Sequence, residues 1–270
     1  MEDLAWAPPG VDTTQANTAR VYDYWLGGTH NFLPDQDLAR AIVAVNPHMR
    51  DTVRANRAFL RRAVRYLAAA GITQFLDIGS GIPTQGNVHE AAQQASPGAR
   101  VVYVDTDPVA IAHSKAILAG NPDAAIIDAD LREPEKILGH EVTRRLLDLS
   151  RPVGLILGAV LHFLGDEEDP HSVLATLGDG LAPGSYLVIS HATADESPGQ
   201  IQAAGKVYNS RSAVHLRMRS HAEVLRFFDG FELVEPGLTW IPLWRPDAPA
   251  DVPDDPARLA GWVGVGRKPG

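Results

Sequence analysis

From residue 72 onward the chain repeats one unit, a short and almost wholly apolar run followed by a helical stretch. The runs are ITQFLDI (72–78), RVVYVD (100–105), AAIID (124–128), PVGLILG (152–158) and SYLVIS (185–190). Helical patterns separate them at 86–96, 107–119, 133–149 and 171–181. A strand that is apolar on both sides needs cover on both faces, and parallel neighbours need a crossover helix between them. The alternation therefore predicts an α/β fold with a mostly parallel, Rossmann-like sheet. Later, Ser220 and Glu223 form a capping box for a helix through Phe228. The strands FELVEP (231–236) and WVGVGRK (262–268) then close the sheet as a hairpin with a long loop. Within that loop, RPDAPADVPDDPA (245–257) is a solvated Pro/Asp-rich segment.

The first seventy residues carry a different, helical period. Thr13 or Thr14 can cap a helix holding ARVYDYWL (19–26), which Gly27-Gly28 stops. Pro34 suits the first turn of a second helix that ends before Pro47. A third runs from about Met49 to Ala70, with Val53, Leu60, Val64 and Leu67 on one face and Gly71 after it. This divides the chain into an N-terminal helical cap or lid, 1–70, and a core, 71–270, within one continuous structure.

Absences narrow the chemistry. The 270 residues include no cysteine, which excludes disulfides, thiol nucleophiles and cysteine-ligated metals. The formal charge is −9, and no basic block offers a footprint for phosphates, so a small molecule is the expected partner and a nucleic acid is not. The longest apolar stretch, VGLILGAVLHFL (153–164), is too short to span a bilayer. The start, MEDLAWAPPG, lacks the basic and apolar regions of a signal peptide. No membrane partner and a cytoplasmic location are the expectations, and the oligomeric state is not legible.

The sharpest motif is QFLDIGSGIPT (74–84), a strand, an acidic residue and the turn Gly79-Ser80-Gly81. Ligands of open parallel sheets bind beyond the carboxyl ends of the strands, most often at the first strand–helix turn. The second strand ends in Asp105, placed to accept hydroxyl hydrogens from a ribose, and Asp107-Pro108 begins a helix. The third ends in DAD (128–130), suited to an adenine amino group or to a helix cap. The dinucleotide fingerprint is incomplete, because Thr84 stands at its sixth position and Pro83 interrupts the helix that would face a diphosphate. A ligand with ribose and adenine but no diphosphate fits better, and S-adenosylmethionine is such a ligand.

LDIGSG, VVYVDTDP, DADLR (128–132) and LILGAVLHFL (155–164), in this order, resemble class I S-adenosylmethionine-dependent methyltransferases. More narrowly, ARVYDYWLGGTHNF (19–32), NRAFLRRAV (56–64), FLDIGSGIPTQGNVHE (75–90) and APGSYLVISH (182–191) resemble an actinobacterial family of methyltransferase candidates formerly described as a domain of unknown function. The resemblance implies a seven-stranded sheet with the last strand antiparallel. It also implies a cofactor lined by Gly79, Ser80 and Gly81 at its methionine portion and by Asp105 and Thr106 at the ribose. Asp130 and Leu131 would flank the adenine, with Gly158 and Ala159 beneath the sulfonium. The sequence departs from many class I enzymes at Pro83, where a third glycine is common.

Methyl transfer is an in-line displacement in which the protein aligns the acceptor, excludes water and sometimes removes a proton. No metal is needed, and His89-Glu90 does not continue as a zincin motif because Gln93 stands where the second histidine belongs. His162 and His191, just after the fourth and fifth strands, are candidate bases, or histidines bound to backbone. RVYDYWLGGTHNF (20–32) is locally aromatic in a chain with 7% aromatic residues. It reads either as a lid, with Arg20 on the cofactor carboxylate or Tyr24 on the substrate, or as an amphipathic helix. Asn56 and Arg57 could face the methionine end, and 191–220 could shape an acceptor pocket or form a loop. The expected function is methylation of an unidentified small molecule. The rivals are an NAD(P)-dependent oxidoreductase and a non-catalytic S-adenosylmethionine-binding protein.

Overall fold

A computed structural model of the chain describes residues 7–8, 11–83, 86–196 and 198–270. Three helices come first: α1 (Thr18–Leu26), α2 (Leu33–Val45) and α3 (Met49–Ala69). The alternating region follows as β1 (Gln74–Ile78), α4 (Val88–Ala95), β2 (Arg100–Asp105), α5 (Pro108–Ile117), β3 (Ala124–Asp128), α6 (Pro134–Gly139), α7 (Glu141–Leu146), β4 (Gly154–Gly158), α8 (Pro170–Asp179) and β5 (Tyr186–Ala192). The remainder holds α9 (Pro198–Arg211), α10 (His221–Leu225), β6 (Glu232–Leu233), β7 (Thr239–Trp240) and β8 (Gly261–Arg267).

The strands order as β3-β2-β1-β4-β5-β8-β6. The first five are parallel, and β8 runs antiparallel to β5. The expected seven-strand path with an antiparallel last strand is present. It gains one strand, the two-residue β7, which pairs with β8 through Thr239 and Trp240 and makes the sheet eight-stranded. The hairpin of the last strands is correspondingly short, with two pairs between β6 and β8.

Strand side chains alternate between two cores, as the period of two requires. Leu76, Ile78, Val102, Val104, Leu155 and Leu157 face α6, α7, α8 and α10. Phe75, Val101, Tyr103, Ile156, Val188 and Val263 face α3 and α4. Burying each such side chain is worth roughly 1.5–3 kcal/mol, so both layers are held by the sheet. The long helix α3 belongs to this second layer, because Phe59, Leu60, Ala63, Val64 and Leu67 all pack there. A third cluster joins Val21, Trp25, Leu38, Ile42 and Val53 to Ala204 and Tyr208 of α9.

Two local expectations are corrected. Asn17, rather than Thr13 or Thr14, caps α1, its Oδ1 accepting from the Ala19 amide at 2.8 Å. Thr14 instead donates to Asp12. The helical stretch 133–149 is two helices, because extended His140 breaks it and its Nδ1 restarts the helix by accepting from the Val142 amide at 3.1 Å. Thr84, whose place in the glycine turn interrupts the dinucleotide fingerprint, lies outside the described residues, as does most of the opening segment.

Candidate active site

The turn after β1 is built so that only glycine serves at two positions. Gly79 and Gly81 have φ of 72° and 66°, in the left-handed region where a Cβ is strained. A Cβ on Gly79 would also stand 2.4 Å from the Val160 Cγ2. The Gly79 and Ser80 amides donate to the Val104 carbonyl at 2.8 and 3.2 Å, tying the turn to β2. The Gly81 amide donates to Asp105 Oδ2 at 2.7 Å, and Asp105 Oδ1 accepts from the Thr106 and Asp107 amides at 2.8 and 2.9 Å. Of the roughly four lone-pair sites of a carboxylate, three are filled. Burial pushes the Asp105 pKa up, against the pull of these amides. Asp107 caps α5, accepting from the Val109 and Ala110 amides. The chain reaches α4 only at Val88, so no helix N-terminus directly follows Gly81.

A cavity of about 290 Å³ opens over these strand tips. Gly79, Ser80, Gly81, Asp105, Thr106, Asp130, Leu131, Gly158, Ala159, His162 and His191 all line it. Asp130 accepts from the Arg132 amide at 2.9 Å and pairs with its guanidinium at 3.1 Å. Gly158 is required by packing, since a Cβ there would lie 2.9 Å from Leu60 Cδ1. Ala159 holds a φ of 59°, a strained conformation for a residue other than glycine.

Helix α3 turns one continuous face to the same cavity through Met49, Val53, Asn56, Arg57 and Leu60. The Asn56 amide donates to the Tyr22 hydroxyl at 3.0 Å, which donates onward to the Val53 carbonyl at 3.2 Å. The Arg57 guanidinium lies 5.5 Å from the Tyr22 ring. Asp77, the acidic residue of β1, also lines the cavity. Among the described residues no hydrogen bond reaches its carboxylate. Burial pushes its pKa up to about 7, Asp105 adding to the rise and Arg57 opposing it. Six further lining residues carry buried polar atoms without partners among the described residues: Asn46 Nδ2, Asn56 Oδ1, Arg57 Nε, Ser80 Oγ, Ser190 Oγ and the Tyr208 hydroxyl.

The two candidate bases are buried with their ring nitrogens engaged. His191 Nδ1 donates to the Ala192 carbonyl at 2.8 Å, and its Nε2 accepts from Arg219 Nη1 at 3.2 Å. Burial, with Arg219 adding to it, pushes the His191 pKa down to about 3. His162 Nδ1 accepts from the Ala192 amide at 3.2 Å, so we assign its proton to Nε2. Burial, His191 and Arg219 together hold the His162 pKa well below the usual imidazole value. Neither neutral ring has a free lone pair for a substrate proton.

Arg20 and Tyr24 are not brought into the cavity. Arg20 is buried against Asp35, Nε to Oδ2 at 3.1 Å, and its remaining donors reach the Asp12 and Gln15 carbonyls at 3.0 and 2.8 Å. It therefore ties α1 to α2. The Tyr24 ring lies beside the Arg40 and Arg50 guanidiniums, 5.9 and 5.7 Å away. On α1 the cavity instead meets Tyr22 and Trp25, about one and two turns along the same face from Thr18. Asp23 accounts for the rest of that motif, accepting from the His30 amide and the Asn31 side chain and so folding the glycine loop back on α1.

Helix α9 is the part of the site that sequence reasoning left open. Ile201, Ala204, Gly205 and Tyr208 line the cavity, at the i, i+3, i+4, i+7 spacing of one helical face. That spacing was a signal available in the sequence, weakened by two small residues.

This strand order, with a glycine turn after β1 and acids at the tips of β2 and β3, defines the fold of class I methyltransferases. The N-methyltransferase NodS from Bradyrhizobium japonicum, solved with S-adenosylhomocysteine, shares it at 15% identity and a TM-score of 0.50, over 87% of this chain and 98% of that one. The family model of the S-adenosyl methyltransferases matches residues 4–269, and the chain belongs to that family. It is therefore an S-adenosylmethionine-dependent methyltransferase. A methyltransferase candidate from Thermobifida fusca YX is 42% identical, with a TM-score of 0.92 over 98% of this chain and 99% of that one. A DUF574 family protein from Streptomyces avermitilis is 41% identical, with a TM-score of 0.92 over 96% and 99%. No curated protein matches the chain. These findings do not favour the oxidoreductase or the non-catalytic alternative. Among the described residues no helix is long and apolar enough to cross a membrane.

Proposed function

We propose that the cavity holds S-adenosylmethionine across the tips of β1, β2 and β4 and aligns a small-molecule acceptor on its far, apolar side. The observation that carries this reading is the continuity of the cavity, from the Gly79–Gly81 turn and Asp105 to the apolar side chains of α1, α2 and α9. The residues fit the cofactor. Ser80 Oγ, Asn56 Oδ1 and Arg57 Nε are buried polar atoms still lacking partners, and such groups are costly unless a ligand satisfies them. Arg57 offers its charge to a carboxylate, Asp77 to an ammonium, and Asp105 its remaining acceptor site to a ribose hydroxyl. Asp130 and Leu131 flank the adenine, and Gly158 and Ala159 leave room beside β4.

When bound, the cofactor supplies a methyl group on a positively charged sulfur. The chain's own part is to orient the acceptor in line with it and to exclude water, a task of alignment more than of proton removal. His162 and His191 hold the ends of β4 and β5 through Ala192 and Arg219. In this reading they are positioning residues, with His162 keeping an N–H donor rather than accepting a proton. The two helices α1 and α2, together with α9, form the cover, while α3 stays with the sheet. The acceptor is a small molecule, because the chamber is enclosed by helices on three sides.

Calorimetry with S-adenosylhomocysteine tests the assignment. We expect binding to the wild-type chain and at least a tenfold loss in Asp105→Ala, since a charge-assisted hydrogen bond contributes about 1.5–3 kcal/mol. Unchanged affinity in that variant would remove Asp105 from the site.

A further inference from the structure

Charge is divided unevenly around the cavity. Arg57, Asp77, Asp105, Asp130 and Arg132 all stand on α3 or at the strand tips. The opposite walls, from α1, α2, α9 and residues 214–218, contribute no Lys, Arg, Asp or Glu among the described residues. They present Trp25, Ile42, Tyr208, Leu216 and Met218 instead, with Phe163 beside them. The Phe163 and Tyr208 rings lie 5.9 Å apart and only 28° from parallel. An ion placed against such walls would lose its hydration without compensation, whereas a flat apolar ring would gain contact with rings and with the polarizable Met218 sulfur.

The Thr18 and Tyr22 hydroxyls also line these walls, and Tyr22 is engaged with Val53 and Asn56; two further polar atoms there are buried without partners among the described residues. The Tyr208 hydroxyl is buried with no partner at hydrogen-bond geometry among the described residues, the Ser212 side chain being the polar group that acts on it, and the residue is 5% exposed. Burial also pushes its pKa up, so it stays a protonated donor at any working pH. Asn46, 2% exposed at the end of α2, uses its Oδ1 to accept from the His48 amide at 3.3 Å. That bond fixes the orientation of the amide and leaves Nδ2 as a donor with no partner among the described residues. Among the described residues, walls that carry no charged side chain thus keep two unsatisfied buried donors.

We infer that the methyl acceptor is an uncharged, planar aromatic molecule carrying a hydroxyl or carbonyl oxygen, which the Tyr208 hydroxyl and the Asn46 side-chain amide recognise. The inference rests on the reading of this chamber as the acceptor side. It assigns Tyr208 and Asn46 to specificity, and excludes carboxylate-bearing and phosphate-bearing acceptors.

The test uses the full chain saturated with S-adenosylhomocysteine and three matched probes: 2-naphthol, naphthalene and 2-naphthoate. Calorimetry is expected to rank 2-naphthol first, naphthalene roughly tenfold weaker, and the anionic 2-naphthoate at least as weak as naphthalene. Tyr208→Phe keeps the ring and removes only a hydroxyl with no partner at hydrogen-bond geometry among the described residues, so it is expected to fold. It should lower 2-naphthol affinity several-fold and leave naphthalene and S-adenosylhomocysteine unchanged. Tighter binding of 2-naphthoate than of 2-naphthol, no binding of any probe, or an unaltered 2-naphthol affinity in Tyr208→Phe would each overturn the inference while the cofactor reading stands. Failure of S-adenosylhomocysteine to bind the wild-type chain would instead overturn the cofactor reading beneath it.

Discussion

Replacing Asp77 with asparagine should make the ligand-free protein more stable and the loaded protein weaker. The Asp77 carboxyl is 6% exposed and its pKa is displaced from 3.8 to about 7, chiefly by burial. A carboxyl whose folded-state pKa is raised favours folding only while protonated. Its contribution is fully present below the unfolded value of 3.8 and is lost as pH rises through about 7. Above that range the ionised group opposes folding by about 4 kcal/mol, at 1.36 kcal/mol for each unit of displacement. By about pH 5.5 roughly half of that opposition is already in place. Asp77→Asn removes it, so the melting temperature at pH 8.5 should rise by on the order of 10 °C. The gain should shrink as the pH is lowered toward 5. Scanning calorimetry across that range, with and without S-adenosylhomocysteine, measures both effects. The variant should bind the ligand more weakly, because the charge that burdens the empty fold is the one offered to the ligand's ammonium. A melting temperature at pH 8.5 equal to or below that of the wild type would refute this account of Asp77.

Other perturbations separate the site from its supports. Gly79→Ala drives a Cβ against Val160 and should cost several kcal/mol, whereas Gly81→Ala meets no atom within 4 Å and should cost only the roughly 1–2 kcal/mol of its left-handed backbone; urea titrations of the two variants compare them directly. Arg20→Ala breaks the buried pair with Asp35 and should destabilise the chain by about 3–5 kcal/mol. Its S-adenosylhomocysteine affinity, measured well below the melting temperature, should stay within a few-fold of wild type, and a loss as large as that of Asp105→Ala would contradict this placement. His191 has its pKa pushed from 6.5 down to about 3, so its contribution to stability is present above pH 6.5 and is lost as pH falls toward 3. His191→Gln should therefore flatten acid unfolding over that window, as circular dichroism would follow.

The strands were legible because a parallel sheet covered on both faces writes its strands as unbroken apolar runs, and β2 and β3 fall within the expected limits. The acids and glycines at the strand tips were legible for a related reason, since topology puts every strand end of such a sheet at one edge. Arg20 and Tyr24 were harder. Their spacing on α1 is plain, but which turn of the helix faces the cavity depends on Asp35 and on Arg40 and Arg50, all from other elements. The histidines show the same limit, for the atoms that engage His191 belong to Ala192 and Arg219. Asp77 stood in plain sight within LDIGSG, yet only its burial sets it apart from a surface carboxylate.

The cover over the cavity draws on segments far apart in the chain. Residues 18–25 and 42–46 come before the sheet, and 201–218 come after its fifth strand. A single parallel bridge between Ala16 and Ser212 joins the start of one to the end of α9. None of these segments contributes to the glycine turn or to the strand-tip acids. The chamber's outer wall can therefore change without touching the glycine turn, provided that α9 changes together with the α1 and α2 side chains it packs against. In the proposed reading, exchanging residues 18–46 and 198–218 together between family members would transfer acceptor preference and leave the cofactor end in place.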